Sequence, residues 1–142
     1  MATQIKIIKI GPEFKDERGY ISRIIDEEGT KIKSILYIVR KKNSLSANHF
    51  HKKDIHYILC LEGEIKYSEK NMKIKNSKIV SVILHPGEMV KSNQYMAHST
   101  EFLKATVMLA FSTQHRDQER YEKDTIRVDV FDKKLKQATV KK

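Results

Sequence analysis

Short runs of β-branched and aromatic residues, separated by turn signals, recur along most of the chain and constrain its fold most. Runs of this length and composition are typical of strands. Gly-Pro, Arg-Gly, Glu-Gly and Pro-Gly pairs stand between them. We expect strands over residues 4–10, 20–25, 34–40, 55–61, 64–68, 78–84, 87–91 and 104–112, and a short helix or irregular loop over 114–123. Strands this short and frequent predict an all-β antiparallel sandwich or barrel.

A length of 142 residues suits a single domain, which is large enough to fold without a disulfide or a metal ion. Cys60 is the one cysteine, so an intrachain disulfide is excluded and a reducing, cytoplasmic location is expected. The sequence has no signal-peptide pattern at its start and no apolar stretch near the ~20 residues of a membrane span. We therefore expect a domain over residues 1–132 and a flexible basic tail over 133–142.

The net charge is +10, from 28 Lys and Arg residues against 18 Asp and Glu residues. The lysines are spread along the chain, and they concentrate locally only in the tail. No zinc-finger spacing, helix-turn-helix pattern or aromatic RNA-binding signature accompanies them, which argues against nucleic acid as a partner. The charge indicates either a solvated lysine surface or attraction of an anionic ligand such as a sugar nucleotide.

Histidines supply the most informative pattern in the sequence, because His49, His51 and His56 fall within eight residues. On a strand, His49 and His51 point to the same face, since side chains alternate with period two. A turn through residues 52–54 can bring His56 back on the neighbouring strand. A fourth imidazole must come from a distant strand, and His98 is the leading candidate.

The spacing of these residues resembles the two motifs of the cupins. The matching positions are His49, His51, His56 and Gly63 for the first motif, and Gly87 and His98 for the second. The resemblance covers most of the chain. It implies a single-domain jelly roll, which is a double-sheet β-barrel, with a dimer as its oligomeric state.

Three shorter segments are similar to the dTDP-4-keto-6-deoxyhexose 3,4-ketoisomerases, which are sugar-nucleotide cupins. They read DERG at 16–19, HFHKK at 49–53 and YEKDTIR at 121–127. The resemblance implies a dTDP-sugar or a similar anionic carbohydrate as substrate. The chain departs from this group at Ser46, Ala47 and Asn48, which replace the Arg-Gly before the paired histidines. An arginine at that place could clamp the phosphates of the substrate.

Two chemistries are open for the histidines, and the first is metal binding by His49, His51, His56 and His98. Imidazole binds a metal ion in its neutral form, through a nitrogen lone pair. Cupins that bind metal usually carry Glu where this chain has His56, so the set is all imidazole. Such a set suits a divalent transition metal such as zinc, nickel, iron or manganese better than magnesium or calcium. No organic cofactor is expected.

The second chemistry is general base catalysis by His49 or His51. A neutral imidazole can take the proton next to a ketone, and the resulting enediolate is reprotonated at a neighbouring carbon. Cations stabilise the oxyanion, and a tyrosine supplies the acid. The residues expected to bind substrate or assist in these ways are Arg18, Lys33, Arg40, Tyr37, Tyr57, Tyr95 and Arg127.

Three functions follow from these alternatives. The first is isomerisation or epimerisation of a nucleotide-linked 4-keto-6-deoxy sugar, to which the ketoisomerase-like segments point. The second is a metal-dependent cupin enzyme of another class, such as a dioxygenase. The third is a module that binds a carbohydrate or another small ligand without turnover.

Overall fold

The structure is a computed structural model of the chain, and it describes residues 5–131. Within this range the chain forms twelve strands and one helix. In chain order they are β1 (Ile8–Lys9), β2 (Phe14–Asp16), β3 (Gly19–Ile21), β4 (Ser34–Arg40), β5 (Leu45–His51), β6 (His56–Glu62), β7 (Ile65–Asn71), β8 (Val80–Leu84), β9 (Glu88–Ser92), β10 (Met96–Phe102), β11 (Thr106–Ser112), α1 (Gln118–Asp124) and β12 (Thr125–Arg127). The expected basic tail over 133–142 lies outside the described residues.

Two antiparallel sheets of five strands face each other. The first sheet has the strand order β1-β9-β6-β11-β4, and the second has the order β12-β5-β10-β7-β8. Strands β2 and β3 form a separate hairpin. The all-β, double-sheet prediction is therefore confirmed. No helix in the described part of the chain is both long enough and apolar enough to cross a membrane.

Strand β6 illustrates how side-chain alternation divides the two faces of the first sheet. Ile58 and Cys60 belong to the buried cluster between the sheets, whereas Tyr57 and Leu59 belong to a second cluster on the outer face. A fully buried side chain of this size contributes about 1.5–3 kcal/mol to folding. His56 shares the inner face with Ile58 and Cys60, so the strand presents a histidine at one end of the core.

The outer face of the first sheet is only partly covered. The N-terminal segment packs Ile24, Ile25 and Ile32 against the outer cluster. Beyond this cover, the edge strand β4 presents Ile35, Tyr37 and Val39, which are 60%, 69% and 60% exposed. We call these three residues of β4 the apolar stripe. Exposed apolar patches on a sheet edge are typical of interaction surfaces.

Candidate active site

Four imidazoles from both sheets meet between them. His49 and His51 stand on β5 and His98 on the adjacent β10, whereas His56 comes from β6 of the opposite sheet. Ring centroids are 4.6 Å apart for His49 and His51, and 4.8 Å apart both for His49 and His98 and for His56 and His98. All four side chains are buried, with exposed fractions of 2–9%. The four histidines singled out by spacing therefore form one cluster, hereafter the histidine cluster.

A β-bulge in β5 aims His49 into the cluster. His98 pairs with His49, but the next residue of β10 pairs with Ala47, which leaves Asn48 as the extra residue. Ala47 and Asn48 adopt left-handed φ angles of 71° and 60°, and this conformation is costly for alanine. The carbonyl of Asn48 accepts a hydrogen bond from the amide of Val128 at 2.9 Å, which holds the bulge in place. Bulges of this kind often re-aim a side chain beside an active site.

The turn that joins β5 to β6 is held by Asp124 at the end of α1. Its carboxylate accepts hydrogen bonds from the backbone amides of Lys52 at 3.1 Å, Lys53 at 2.8 Å and Asp54 at 3.0 Å. The last histidine of β5 and the first histidine of β6 therefore meet, with 5.2 Å between their ring centroids. Asp124 belongs to the segment 121–127 that resembles the ketoisomerases, and the structure connects that segment to the histidines.

Hydrogen bonds assign the tautomers of two of the imidazoles. Nδ1 of His98 lies 3.0 Å from the carbonyl of Met96, which can only accept, so Nδ1 carries the proton. The hydroxyl of Thr125 donates to the carbonyl of Tyr121 at 2.6 Å, so it accepts from Nδ1 of His51 at 3.2 Å. Nε2 is therefore the lone-pair nitrogen in both rings. Nε2 of His51 is buried without any hydrogen bond to the described residues.

Asp54 orients the third imidazole. Its Oδ2 lies 3.3 Å from Nδ1 of His56, and its Oδ1 accepts from the Ser112 hydroxyl at 2.7 Å and the Thr113 amide at 3.1 Å. Burial alone raises the pKa of Asp54, but the hydrogen bonds from His56 and Ser112 outweigh it, so the pKa lies below its usual value. The ionised carboxylate keeps Nδ1 of His56 protonated and leaves Nε2 free. Sequence analysis missed Asp54, although its place two residues before a histidine is a detectable signal.

Burial keeps most of the histidine cluster uncharged. Desolvation is the largest cause that lowers the pKa of His51 to about 3, and it also lowers the pKa of His49 and His98 well below the usual value. Neighbouring imidazoles lower the pKa values of these three residues further. At pH 7 these rings are neutral, so their lone pairs are available for a proton or a metal ion.

A cavity of about 140 Å³ opens onto the histidine cluster. Its wall includes His49, His56 and His98, together with apolar side chains such as Ile38 and Met108. His51 is not part of the wall. A cavity of about 150 Å³ holds one six-membered ring in other proteins, so this one fits a ring of similar size.

Two residues at the cavity were missed by sequence analysis, and they are Arg116, which precedes α1, and Tyr121, which lies within it. Arg116 lies over the ring of Tyr121, with its guanidinium carbon 3.9 Å from the ring centroid. The Tyr121 hydroxyl lies 3.5 Å from Nδ1 of His49. Both side chains line the cavity and are half-buried. The one signal for Tyr121 in the sequence is its place in the ketoisomerase-like segment.

Among the residues predicted to bind substrate, Arg40 lines the cavity. The other predicted residues lie away from it, and they are Arg18, Lys33, Tyr37, Tyr57, Tyr95 and Arg127. Tyr57 faces the outer side of its sheet because it follows His56 in β6, and its hydroxyl donates to Glu27 at 2.8 Å. Arg127 forms an ion pair with Glu122 at 2.7 Å. Tyr57 is directed outward because it is one residue along the strand from an inward position, and Arg127 is held away from the cavity by its ion pair with Glu122.

The exposed members of the set have local partners or stand on outer surfaces. Arg18 pairs with Asp16 inside the β2–β3 hairpin, with 84% of its side chain exposed. Lys33 is exposed beside the start of β4, and Tyr37 belongs to the apolar stripe. The Tyr95 ring packs on the outside of the second sheet with Phe50, with 5.6 Å between centroids.

Solved structures with the same fold include sugar-nucleotide isomerases and epimerases. A double mutant of the 3,4-ketoisomerase QdtA from Thermoanaerobacterium thermosaccharolyticum, in complex with TDP, is 24% identical, and the match covers 89% of each chain with a TM-score of 0.70. A 3,4-ketoisomerase from Helicobacter canadensis is 19% identical over 87% of this chain and 90% of that chain, with a TM-score of 0.70.

The likeness extends to an epimerase. The dTDP-6-deoxy-D-glucose-3,5-epimerase RmlC from Legionella pneumophila, in complex with dTDP-4-keto-L-rhamnose, is 18% identical. That match covers 93% of this chain and 78% of that chain, with a TM-score of 0.71. The sequence matches no protein-family model and no curated protein. The two facing antiparallel sheets and the likeness to these enzymes lead to one conclusion: the chain has the cupin fold.

Proposed function

We propose that the chain is an isomerase or epimerase that acts on a nucleotide-linked 4-keto-6-deoxy sugar. The observation that carries the proposal is that His49 and His98, which are buried and neutral, line a cavity of about 140 Å³ together with His56. The likeness in fold to TDP-sugar ketoisomerases and epimerases supports this class of reaction. An apolar, desolvated cavity favours neutral bases and strengthens the electrostatic interactions within it.

His49 is the proposed general base, because it lines the cavity whereas His51 lies behind it. Its lone pair takes the proton from the carbon next to the ketone. The C–H electron pair then forms a carbon–carbon double bond, and the ketone oxygen becomes the oxyanion of an enediolate. To move the ketone, the proton returns to the former carbonyl carbon, the hydroxyl on the deprotonated carbon loses its proton to become the new ketone, and the former ketone oxygen gains a proton. Return of the proton to the opposite face of the same carbon instead restores the original ketone and inverts that centre. Both outcomes conserve atoms and electrons.

Other residues of the cavity assist the proposed proton transfer. Tyr121 is the proposed acid, because its hydroxyl lies 3.5 Å from Nδ1 of His49 and borders the same cavity. Arg40 is the proposed stabiliser of the oxyanion, since its exposed guanidinium lines the cavity and donates to the Ser46 hydroxyl at 2.8 Å. His56, held by Asp54, presents its free Nε2 beside them.

Solvent exchange tests the proposal directly. The protein is incubated in heavy water with a dTDP-4-keto-6-deoxy sugar, and the ring protons of the sugar are followed by NMR. We expect deuterium at a carbon next to the ketone, and a rate that is lower by about 10²–10⁴-fold in His49→Asn. His115→Asn, a change at an exposed histidine, is the control and keeps the rate. Absence of deuterium from the sugar carbons would rule out proton abstraction on this substrate.

A metal-dependent enzyme is the second candidate, and the tautomers of the histidine cluster favour it. His51 and His98 each keep Nε2 as the lone-pair nitrogen, and the nitrogen of His51 is buried without a hydrogen bond to the described residues. Ligand atoms of His49, His51 and His98 lie within 4.8 Å of one another. These residues fit a transition-metal ion, which would supply Lewis-acid polarisation of a substrate oxygen when bound.

Metal analysis separates the two candidates. Protein purified without a histidine tag is analysed for zinc, nickel, iron and manganese. The metal-dependent candidate predicts about one equivalent of one of these ions per chain, and a lower content in His98→Gln. A content below about 0.1 equivalent, unchanged after incubation with each ion, contradicts the metal-dependent candidate.

A further inference from the structure

Two arginines at the cavity lack the carboxylate partners that the other arginines have. Carboxylates pair with Arg18, Arg23, Arg120 and Arg127. Arg40 and Arg116 form no ion pair with any carboxylate among residues 5–131, and both line the cavity. Arg40 is exposed and Arg116 is half-buried, so they border the mouth of the cavity, whereas the imidazoles lie deeper.

The side chain of Arg116 is held in an orientation suited to binding an anion. Its guanidinium stacks on the Tyr121 ring at 3.9 Å, and Tyr121 is itself tied to the cluster through its hydroxyl contact with His49. Stacking restricts the side chain while the edge of the guanidinium keeps its N–H donors free. Its positive charge also lowers the pKa of His49 and His51, so the electrostatic field of the guanidinium reaches the histidine cluster.

The size of the cavity decides where the anionic part of a sugar nucleotide would lie. A volume of about 140 Å³ is too small to enclose a whole nucleotide sugar, so with the sugar directed at the imidazoles the diphosphate lies at or outside the mouth. Ser46 and Ala47, which stand where the ketoisomerases carry Arg-Gly, line the same cavity. These two residues supply no cation of their own. Arg40 donates to the Ser46 hydroxyl at 2.8 Å, and Arg116 enters from the segment before α1.

We propose that Arg116 binds the diphosphate of the nucleotide sugar, in place of the arginine that the segment 46–48 lacks. This assignment rests on the proposed function for its substrate class. A guanidinium forms two parallel hydrogen bonds with phosphate oxygens, and an ammonium group cannot reproduce that geometry. Arg40, which also lines the cavity, adds a second cation.

Calorimetric titration with TDP tests the assignment, with thymidine as the probe that lacks the diphosphate. We expect Arg116→Gln to weaken TDP binding by about 10- to 100-fold, because hydrogen bonds to a charged group are lost. We expect a smaller loss, about 3- to 10-fold, in Arg116→Lys, which keeps the charge without the planar fork. Arg120→Gln, at an exposed arginine of the adjacent helix α1, is the matched control and keeps the affinity of the wild type, because Arg120 pairs with Asp117.

Two results would overturn the assignment of Arg116. The first is equal TDP affinity in Arg116→Gln and in the wild type, and the second is absence of saturable TDP binding by the wild type. An equal loss of thymidine binding in Arg116→Gln would also count against it, since a diphosphate contact leaves thymidine unaffected. The outcome of the TDP titration is independent of the deuterium-exchange experiment, because TDP binding needs no turnover. Arg116-dependent TDP binding without deuterium exchange would retain this assignment and reject the proposed reaction.

Discussion

Nδ1 of His56 lies 3.3 Å from Oδ2 of Asp54, which makes a buried carboxylate the support of one imidazole on the cavity wall. The other oxygen of that carboxylate is held by Ser112 and Thr113 on the strand next to β6. The orientation of His56 therefore depends on a carboxylate that also borders the cavity. Supporting residues of this kind fix the tautomer and direction of a functional imidazole.

Replacement of Asp54 by Asn is expected to lower kcat by about 10- to 100-fold with little change in KM, because the amide no longer holds Nδ1 of His56 protonated. Steady-state rates on the keto sugar measure the effect. Asp26→Asn, a change at an exposed carboxylate, is the control and leaves kcat unchanged. Equal rates for Asp54→Asn and the wild type would show that the orientation of His56 is irrelevant to the reaction.

Removal of the Tyr121 hydroxyl tests whether this group acts as the acid in the proposed proton transfer. Tyr121→Phe keeps the ring under Arg116 but loses the contact with His49, so we expect the rate to fall by about 10- to 100-fold with TDP affinity retained. The two measurements are single-turnover rates and calorimetric titration. Tyr20→Phe, at an exposed tyrosine of the β2–β3 hairpin, serves as the control. An unchanged rate in Tyr121→Phe would remove the residue from the proposed mechanism.

Stability should fall in mild acid because the histidine cluster is buried in its neutral form. Histidines in the unfolded chain have a pKa of about 6.5, and the folded pKa values of His49, His51 and His98 are lower. Below pH 6.5 the unfolded chain therefore binds protons that the folded chain does not. The loss continues down to the folded pKa, which is about 3 for His51.

The expected slope is about 1.4 kcal/mol of unfolding free energy per pH unit for each such imidazole. Urea unfolding of EDTA-treated protein, between about pH 7 and pH 5, measures it. His51→Gln should reduce the slope, and His115→Gln, at an exposed histidine, should leave it unchanged. A free energy of unfolding that is constant over this range would contradict the neutral, buried state of the cluster.

Gly63 provides a stability test of the turn between β6 and β7. Its φ is +95°, and a Cβ added there would collide with the carbonyl of Ala105 and with Thr106. We expect Gly63→Ala to lower the free energy of unfolding by at least about 2 kcal/mol. Gly29→Ala is a matched control, because Gly29 has a φ of +79° and no atom within 4 Å of the added Cβ. Equal losses in both variants, measured by chemical denaturation, would assign the whole effect to φ and none to the collision.

A homodimer remains a prediction, and the apolar stripe is the surface on which we would test it. Light scattering after gel filtration is expected to give about twice the chain mass of 16.6 kDa. The double variant Ile35→Lys with Val39→Lys should shift the protein to a monomer, since charges on an apolar interface are costly to bury. Ile74→Lys, at an exposed apolar residue elsewhere, should not. A monomeric wild type would contradict the prediction.

The fold could be predicted where alternation is clear. The run 34–40 coincides with β4, because its five central residues are apolar or aromatic and every residue pairs with β11. The run 4–10 is shorter than predicted, and of its described residues only Ile8 and Lys9 pair with a neighbouring strand. The strand β10 was not predicted, because its buried positions include His98, Ser99 and Thr100, which do not read as core.

Local spacing could predict which histidines share a strand face, but not what surrounds them. Tyr121 contacts His49 across 72 residues of chain, and the path between them includes a helix whose position no local pattern specifies. Tyr57 directly follows His56 in β6, so once His56 is placed inward, alternation puts Tyr57 on the outer face. No sequence pattern identifies Arg116 as a functional residue. It stands out only in the structure, where it lines the cavity and forms no ion pair among the described residues.

The division of the cluster between two sheets has a consequence for folding. Since His56 belongs to one layer and its three companions to the other, the reaction centre does not exist until the layers have docked. Each layer alone would display an inert set of imidazoles. Turnover in a refolding experiment would consequently appear only when both layers are in their native contact, because proton transfer depends on the distance between groups that the two layers contribute.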